Sequence, residues 1–215
     1  MKHLLPTLTC LILAGCSGPS RQVTDRAATF DWRDLFNGQN LDGWVVENGA
    51  NFSVRSGVIF VDKGTGWLRS EDEFGDAVLR LDFRFLEPEA NSGVFVRTGS
   101  TSENDENGWP DNGYQVQCMD TLEGMRPLAT MIPYGAEGFT DADHQSDLES
   151  IRKAYRGVGK WNTFEIACAG EELSVKLNGT QVTRARNVKN RRGHVGIQAE
   201  HGRLEFRNVR IRELP

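Results

Sequence analysis

Two-residue alternation runs through most of this chain and restricts its fold more than any other feature. In AVLRLDFRF (77–85), Leu79, Leu81, Phe83 and Phe85 fall on one side of an extended segment, and Arg80, Asp82 and Arg84 on the other. SGVFVRTG (92–99), YQVQCMD (114–120), TFEIACA (163–169), LSVKLNG (173–179) and HVGIQAE (194–200) follow the same rule. Successive side chains of a strand point to opposite faces, so each segment buries one face and wets the other. Short strands broken by Gly- and Asn-rich turns predict an all-β protein, an antiparallel β-sandwich or jelly roll. FSVRSGVIFV (52–61) reads as a hairpin turning at Ser56-Gly57. LFNGQNLDGW (35–44) and GHVGIQAEHGRLEFRNVRIREL (193–214) suggest that the first and last strands lie close together.

One segment departs from the pattern. In ADHQSDLESIRKAYR (142–156), Leu148, Ile151 and Tyr155 recur at helical spacing, which predicts a short helix inside a long loop. The preceding MRPLATMIPYGAEGFTD (125–141) either walls a pocket or covers a sheet edge. Glu71-Asp72-Glu73 reads as a loop, so no carboxylate pair of the usual glycosidase type stands out on a strand.

The N-terminus has the features of an export signal. Lys2 and His3 precede an apolar run from Leu4 to Leu13, followed by Ala14-Gly15-Cys16. That order matches a bacterial lipobox, so residues 1–15 are expected to be removed and Cys16 lipidated. The run is too short to span a bilayer. Residues 16–29, small and polar after the Cys, read as a tether. Residues 30–215 suffice for a single sandwich domain with its own core. The expected location is the bacterial cell envelope, anchored by lipid alone; Ser17 fits outer-membrane sorting, facing the periplasm or the outside. The net charge of −5, with no basic stripe, argues against nucleic acid as a partner.

Cys118 and Cys168 both fall on apolar faces of their strands. In an oxidising compartment they can bridge, or they can simply pack as buried thiols. The opposite faces are polar. By parity, Gln115 and Gln117 face away from Tyr114, Val116 and Cys118; Phe95 and Arg97 away from Val94 and Val96; His194, Gln198 and Glu200 away from Val195, Ile197 and Ala199. Amides, a guanidinium and a carboxylate gathered with an aromatic ring suit sugar hydroxyls and C–H faces, although a solvated outer sheet face has the same composition. His201 beside Glu200 is placed to act as a base or to satisfy a turn. His144 lies among Asp141, Asp143 and Asp147 in what reads as an exposed acidic loop. ENDENGWPDNG (103–113) is rich in oxygen ligands; it reads as an acidic loop or as a site for a divalent cation such as calcium. Its Trp109 is either a core anchor or a platform for sugar stacking. No nucleophile elbow, phosphate loop, dinucleotide motif or zinc-spaced cluster appears, and no cofactor is implied with certainty.

The segments 35–44, NSGVFVRTG (91–99), NGYQVQ (112–117), GKWNTFEIACAGEELSVKLNGTQV (159–182) and FRNVRIREL (206–214), in that order, resemble the 3-keto-disaccharide hydrolase-like domain family. The resemblance spans roughly residues 30–215 and implies a concanavalin A-like sandwich. It also implies hydrolysis or hydration of 3-keto glycosides. A ketone at C3 acidifies the C2 proton; a base removes it, the C1 substituent leaves by β-elimination, and water adds back. On this reading His201 or Glu200 is the base and Arg97 supports the enolate oxygen, while Gln115, Gln117, Gln198 and Trp109 hold the sugar. Where family members often carry Glu, this chain has Gln115, which cannot serve as a base. The alternative is a non-catalytic carbohydrate-binding lipoprotein.

Overall fold

The computed structural model describes residues 31–100, 108–110 and 112–215. The export signal, Cys16, the tether and most of the acidic 103–113 stretch lie outside the described residues. In chain order the strands are β1 (Arg33–Asp34), β2 (Trp44–Glu47), β3 (Phe52–Arg55), β4 (Val58–Val61), β5 (Gly66–Phe74), β6 (Ala77–Phe85), β7 (Asn91–Thr98) and β8 (Gly113–Met119). They continue with β9 (Met131–Tyr134), β10 (His144–Ser146), β11 (Asn162–Ala169), β12 (Glu172–Leu177), β13 (Thr180–Ala185), β14 (Gly193–Ala199) and β15 (Leu204–Glu213). Among the described residues, one α-helix, α1 (Leu148–Ala154), and a 3-10 turn at Asp141–Asp143 accompany the strands.

The strands form two antiparallel sheets. A nine-stranded sheet runs β10-β13-β12-β11-β6-β15-β4-β3, with β1 pairing separately against β15; a six-stranded sheet runs β2-β5-β14-β7-β8-β9. The chain ends do meet: Arg33 lies opposite Ile211, and the Leu35 amide donates to the Val209 carbonyl at 2.8 Å. The 52–61 hairpin turns at Ser56 and Gly57, both with positive φ, as its tight reversal requires.

The core lies between the sheets and is built by the alternation. Leu79, Leu81, Phe83 and Phe85 of β6 meet Phe164 and Ile166 of β11 and Phe206 of β15, all buried. Phe83 and Phe164 sit 4.5 Å apart, centroid to centroid. Each such side chain contributes about 1.5–3 kcal/mol by burial, so the register is strongly fixed.

Two segments differ from expectation. The helical periodicity of 142–156 becomes helix only at Leu148–Ala154. Asp147 starts it, its carboxylate accepting from the Ser150 amide at 3.0 Å, while His144–Ser146 joins the sheet edge as β10. Ile151 is the buried anchor; Tyr155, just past the helix, donates its hydroxyl proton to Asp120 at 2.5 Å. Glu71-Asp72-Glu73 is the exposed end of strand β5 rather than a loop, because pairing with β14 continues to Phe74.

Candidate functional site

The outer face of the six-stranded sheet gathers the amides the sequence pointed to. β14, β7 and β8 lie side by side there, with Phe95 between Gly196 and Gln115, and Gly93 opposite Gln117. Tyr114, Val116 and Cys118 face the core as expected, so Gln115 and Gln117 face outward. Gln115 Nε2 donates to Gln117 Oε1 at 3.1 Å and to Gln198 Oε1 at 2.9 Å. Gln117 Nε2 in turn donates to Asn91 Oδ1 at 3.3 Å.

Two glycines make room for this row. A Cβ at Gly93 would lie 1.8 Å from Gln115 Nε2, and one at Gly196 would lie 2.5 Å from the Trp67 ring. Gln115 and Trp67 therefore rest directly on neighbouring backbone. Around the amides stands an aromatic group. Trp67 meets Phe95 edge-on at 5.5 Å, Phe95 meets Tyr134 at 5.6 Å, and Trp109 meets Tyr134 at 6.2 Å. The Trp109 indole N–H donates to the Ala199 carbonyl at 3.3 Å. Trp109 thus closes over the face as an anchor. Tyr134 comes from the 125–141 segment, which extends the sheet as β9 and walls the aromatic cluster.

The closed face has unused hydrogen-bonding capacity. Gln115 and Gln198 are 1% and 0% exposed, yet among the described residues Gln115 Oε1, Gln198 Nε2 and Trp67 Nε1 have no partner. Turning all three amides over would exchange the roles of Gln115 and Gln198 and would set Gln117 Oε1 against Asn91 Oδ1, acceptor to acceptor. A buried, unmatched polar atom costs about 1–3 kcal/mol, so this trio retains both donor and acceptor capacity.

Glu200 and His201 sit where the chain crosses from β14 to β15, and so from one sheet to the other. Asn91 pairs there with His201: its amide donates to the His201 carbonyl at 2.7 Å. Glu200 is half-buried, and burial pushes its carboxyl above the usual range, against opposing pulls from its hydrogen bond to Asn91 and from nearby His201. His201 is exposed. Asn91 thus links the amide row to the one perturbed carboxylate beside it. Its position two residues before Gly93 on the same strand face was a legible parity signal that the sequence reading passed over; Trp67 was equally legible.

Arg97 is elsewhere. Parity put it beside Phe95, but the β7–β14 register slips at this point, and Arg97 has a φ of 49°. A bulge inverts the parity of the residues beyond it. The 2%-exposed Arg97 side chain turns to the seam between the sheets, where it donates to the Gly170 carbonyl at 2.7 Å, to the Asn190 carbonyl at 3.2 Å and to Asp76 at 2.6 Å. It stands six residues along β7 from Asn91, about 20 Å away.

The two cysteines are free buried thiols. Cys118 lies opposite Ser92, at the Asn91 end of the six-stranded sheet; Cys168 lies opposite Ala77 in the other sheet, near Arg97 and Asp76. A span of about 16 Å along β7 separates those ends, far beyond disulfide reach. Burial raises the Cys168 thiol to about 11 and raises Cys118 well above its ordinary value. His144 is not on an exposed loop: it is half-buried in β10 and stacked on Phe139, and burial lowers its pKa. Among the described residues no three His, Cys, Asp or Glu side chains cluster as metal ligands; the expected calcium ligands at 103–107 and Asp111 lie outside them.

Comparison with known families settles the relationship. The model of the 3-keto-alpha-glucoside-1,2-lyase-like domain matches residues 31–212. The chain belongs to that family. Among solved structures, a Parabacteroides distasonis protein provisionally named a glycosyl hydrolase shares 26% identity with a TM-score of 0.65, over 86% of this lyase-like chain and 100% of that one. The carbohydrate-binding module CBM66 from Bacillus subtilis shares 14% identity and a TM-score of 0.55, over 80% and 96% of the two chains. A Bacillus licheniformis β-glucanase shares 11% identity and a TM-score of 0.52, over 86% and 98%. These last two show a common fold: the lyase-like domain is a concanavalin A-like jelly roll. No curated protein matches the chain.

Proposed function

We propose that this domain acts on 3-keto glycosides, with Glu200 as the base. The observation that carries the proposal is the half-buried Glu200, its pKa raised, tied through Asn91 to a row of sugar-compatible amides. Glu200 takes the C2 proton, and the electron pair forms the enolate of the C3 ketone. As the enolate collapses, the C1–O bond breaks and the aglycone leaves, protonated by the acid formed on Glu200. Water then adds across C1 and C2 in the hydrolytic outcome. A base with a raised pKa matches proton transfer near neutral pH better than an ordinary carboxylate. The donors left unmatched on Gln198 and Trp67 can serve the sugar hydroxyls and the enolate oxygen, a role the sequence reading gave to Arg97. Gln115 and Gln198 are closed off from solvent, so a pyranose reaches them only after the side chains that cover them shift. We also read Leu13–Cys16 as a lipidation site that holds the domain at the cell envelope.

One observation favours a second reading, a carbohydrate-binding module without turnover: the only guanidinium assigned to chemistry is engaged in the seam between the sheets. The test is incubation with 3-keto glucosides, with and without chelator, reading released aglycone. Release that falls in Glu200→Gln supports the enzyme. Saturable binding to unoxidised glycans with no release from any 3-keto substrate selects the binding module.

A further inference from the structure

The outer face of the nine-stranded sheet, on the far side of the sandwich from the amides, has a different character. Two Trp rings lie against Arg side chains. The Arg210 and Arg212 guanidinium carbons are 4.9 and 5.0 Å from the centre of the Trp32 ring, and those of Arg84 and Arg207 are 4.6 and 3.9 Å from that of Trp161. Three carboxylates on this face are already engaged: Glu205 with Arg84, Asp82 with Arg207, and Glu165 with Arg80 and Lys176. Among the described residues no carboxylate forms an ion pair with Arg210 or Arg212, although Asp34 lies opposite Arg210 in register. Arg210 is also the direct cross-strand neighbour of Arg80, whose charge Glu165 meets only at 4.0 Å, so the two like charges stand side by side on this face. This excess of positive charge sits on a chain whose net charge is −5.

We propose that this face docks on an anionic phospholipid surface. Arginine and tryptophan together suit that boundary: the cations meet headgroup phosphates, and the indoles sit at headgroup depth. The covalent connection points the same way. The chain enters the fold at Trp32, on this face, and residues 17–30 can span at most about 50 Å from a lipidated Cys16. A domain anchored there docks this sheet on the membrane and leaves the amide face open to the aqueous side. The inference is independent of the glycoside chemistry, and its test needs no lipid on Cys16.

The chain from Ser17, which keeps the whole sandwich, is sedimented with vesicles of phosphatidylethanolamine alone or mixed with phosphatidylglycerol. Binding is expected only to the phosphatidylglycerol vesicles and is expected to fall steeply with added salt. Arg210→Gln/Arg212→Gln is expected to weaken it about twenty-five-fold, at roughly fivefold for each arginine lost near the surface; the corresponding Lys pair should retain it. Inorganic phosphate at equal ionic strength should compete no better than chloride. Absence of binding at low salt, equal binding to both vesicle types, or specific displacement by phosphate would overturn the proposal. If the Gln pair fails to fold, the wild-type comparison between the two vesicle types decides alone.

Discussion

Replacing Arg97 separates a structural role from a chemical one. Its guanidinium is buried, and it holds the carbonyls of Gly170 and Asn190 and the Asp76 carboxylate in one seam between the two sheets. Arg97→Ala removes three donors at once. The two carbonyls are each left short of a partner, at about 1–3 kcal/mol apiece. Asp76 is 38% exposed in its side chain and regains water, so its share is discounted to the lower end of the range for a broken buried pair. Taken at the lower end throughout, the sum is about 5 kcal/mol. For a domain of this size that lowers Tm by about 10–20 °C. Guanidinium melts should show a reduced midpoint with unchanged slope, and Arg97→Lys should recover part of the loss, because an ammonium keeps the charge but not the fork. At temperatures where Arg97→Ala remains folded, aglycone release should stay within a few-fold of wild type. A variant with wild-type Tm and abolished turnover would refute the structural assignment and return Arg97 to the chemistry.

Gly93→Ala should displace the Gln115 amide, destabilise the domain by about 1–3 kcal/mol and weaken sugar binding in calorimetry, since its new Cβ falls on that side chain. Because burial raises the Glu200 pKa, the folded protein binds that proton more tightly than the unfolded chain does. Stability should therefore decline as pH rises from the ordinary carboxylate range through the raised value, while turnover rises over the same interval; Glu200→Gln should remove that share of the slope in pH-dependent melts. Cys118 and Cys168 should react with a thiol reagent only after denaturation, and mass spectrometry of unreduced protein should find no bridge between them. Tyr155→Phe, which leaves Asp120 without its hydroxyl partner, should cost about 1–2 kcal/mol in denaturant melts.

Much of this was legible because burial on one face enforces period two. β6, β11 and β12 follow their sequence alternation of buried and wetted faces. β8 keeps the parity that turns Gln115 and Gln117 outward, but that face is buried too, which alternation alone does not reveal. Arg97 was misplaced because a bulge shifts parity by one residue, and nothing in SGVFVRTG marks it; a non-glycine residue at positive φ leaves no trace in composition. The short helix lost its first turns because pairing of His144–Ser146 with β13 outweighs local helix preference. The role of Trp109 depended on which face its loop crosses, and that is a tertiary fact. Gly93 and Gly196 carried a signal that went unread: glycine inside an alternating strand marks close approach, here of an amide and an indole.

The most direct test of the base assignment is turnover of a 3-keto glucoside in deuterium oxide, followed by mass and NMR analysis of the sugar. Wild-type protein is predicted to yield 3-keto glucose labelled at C2, and Glu200→Gln to yield neither label nor product. Released 3-keto glucose that keeps protium at C2, or labelled product from the Gln variant at the wild-type rate, would contradict proton abstraction by Glu200; an unsaturated product with no hydrogen at C2 is the same abstraction stopped at elimination.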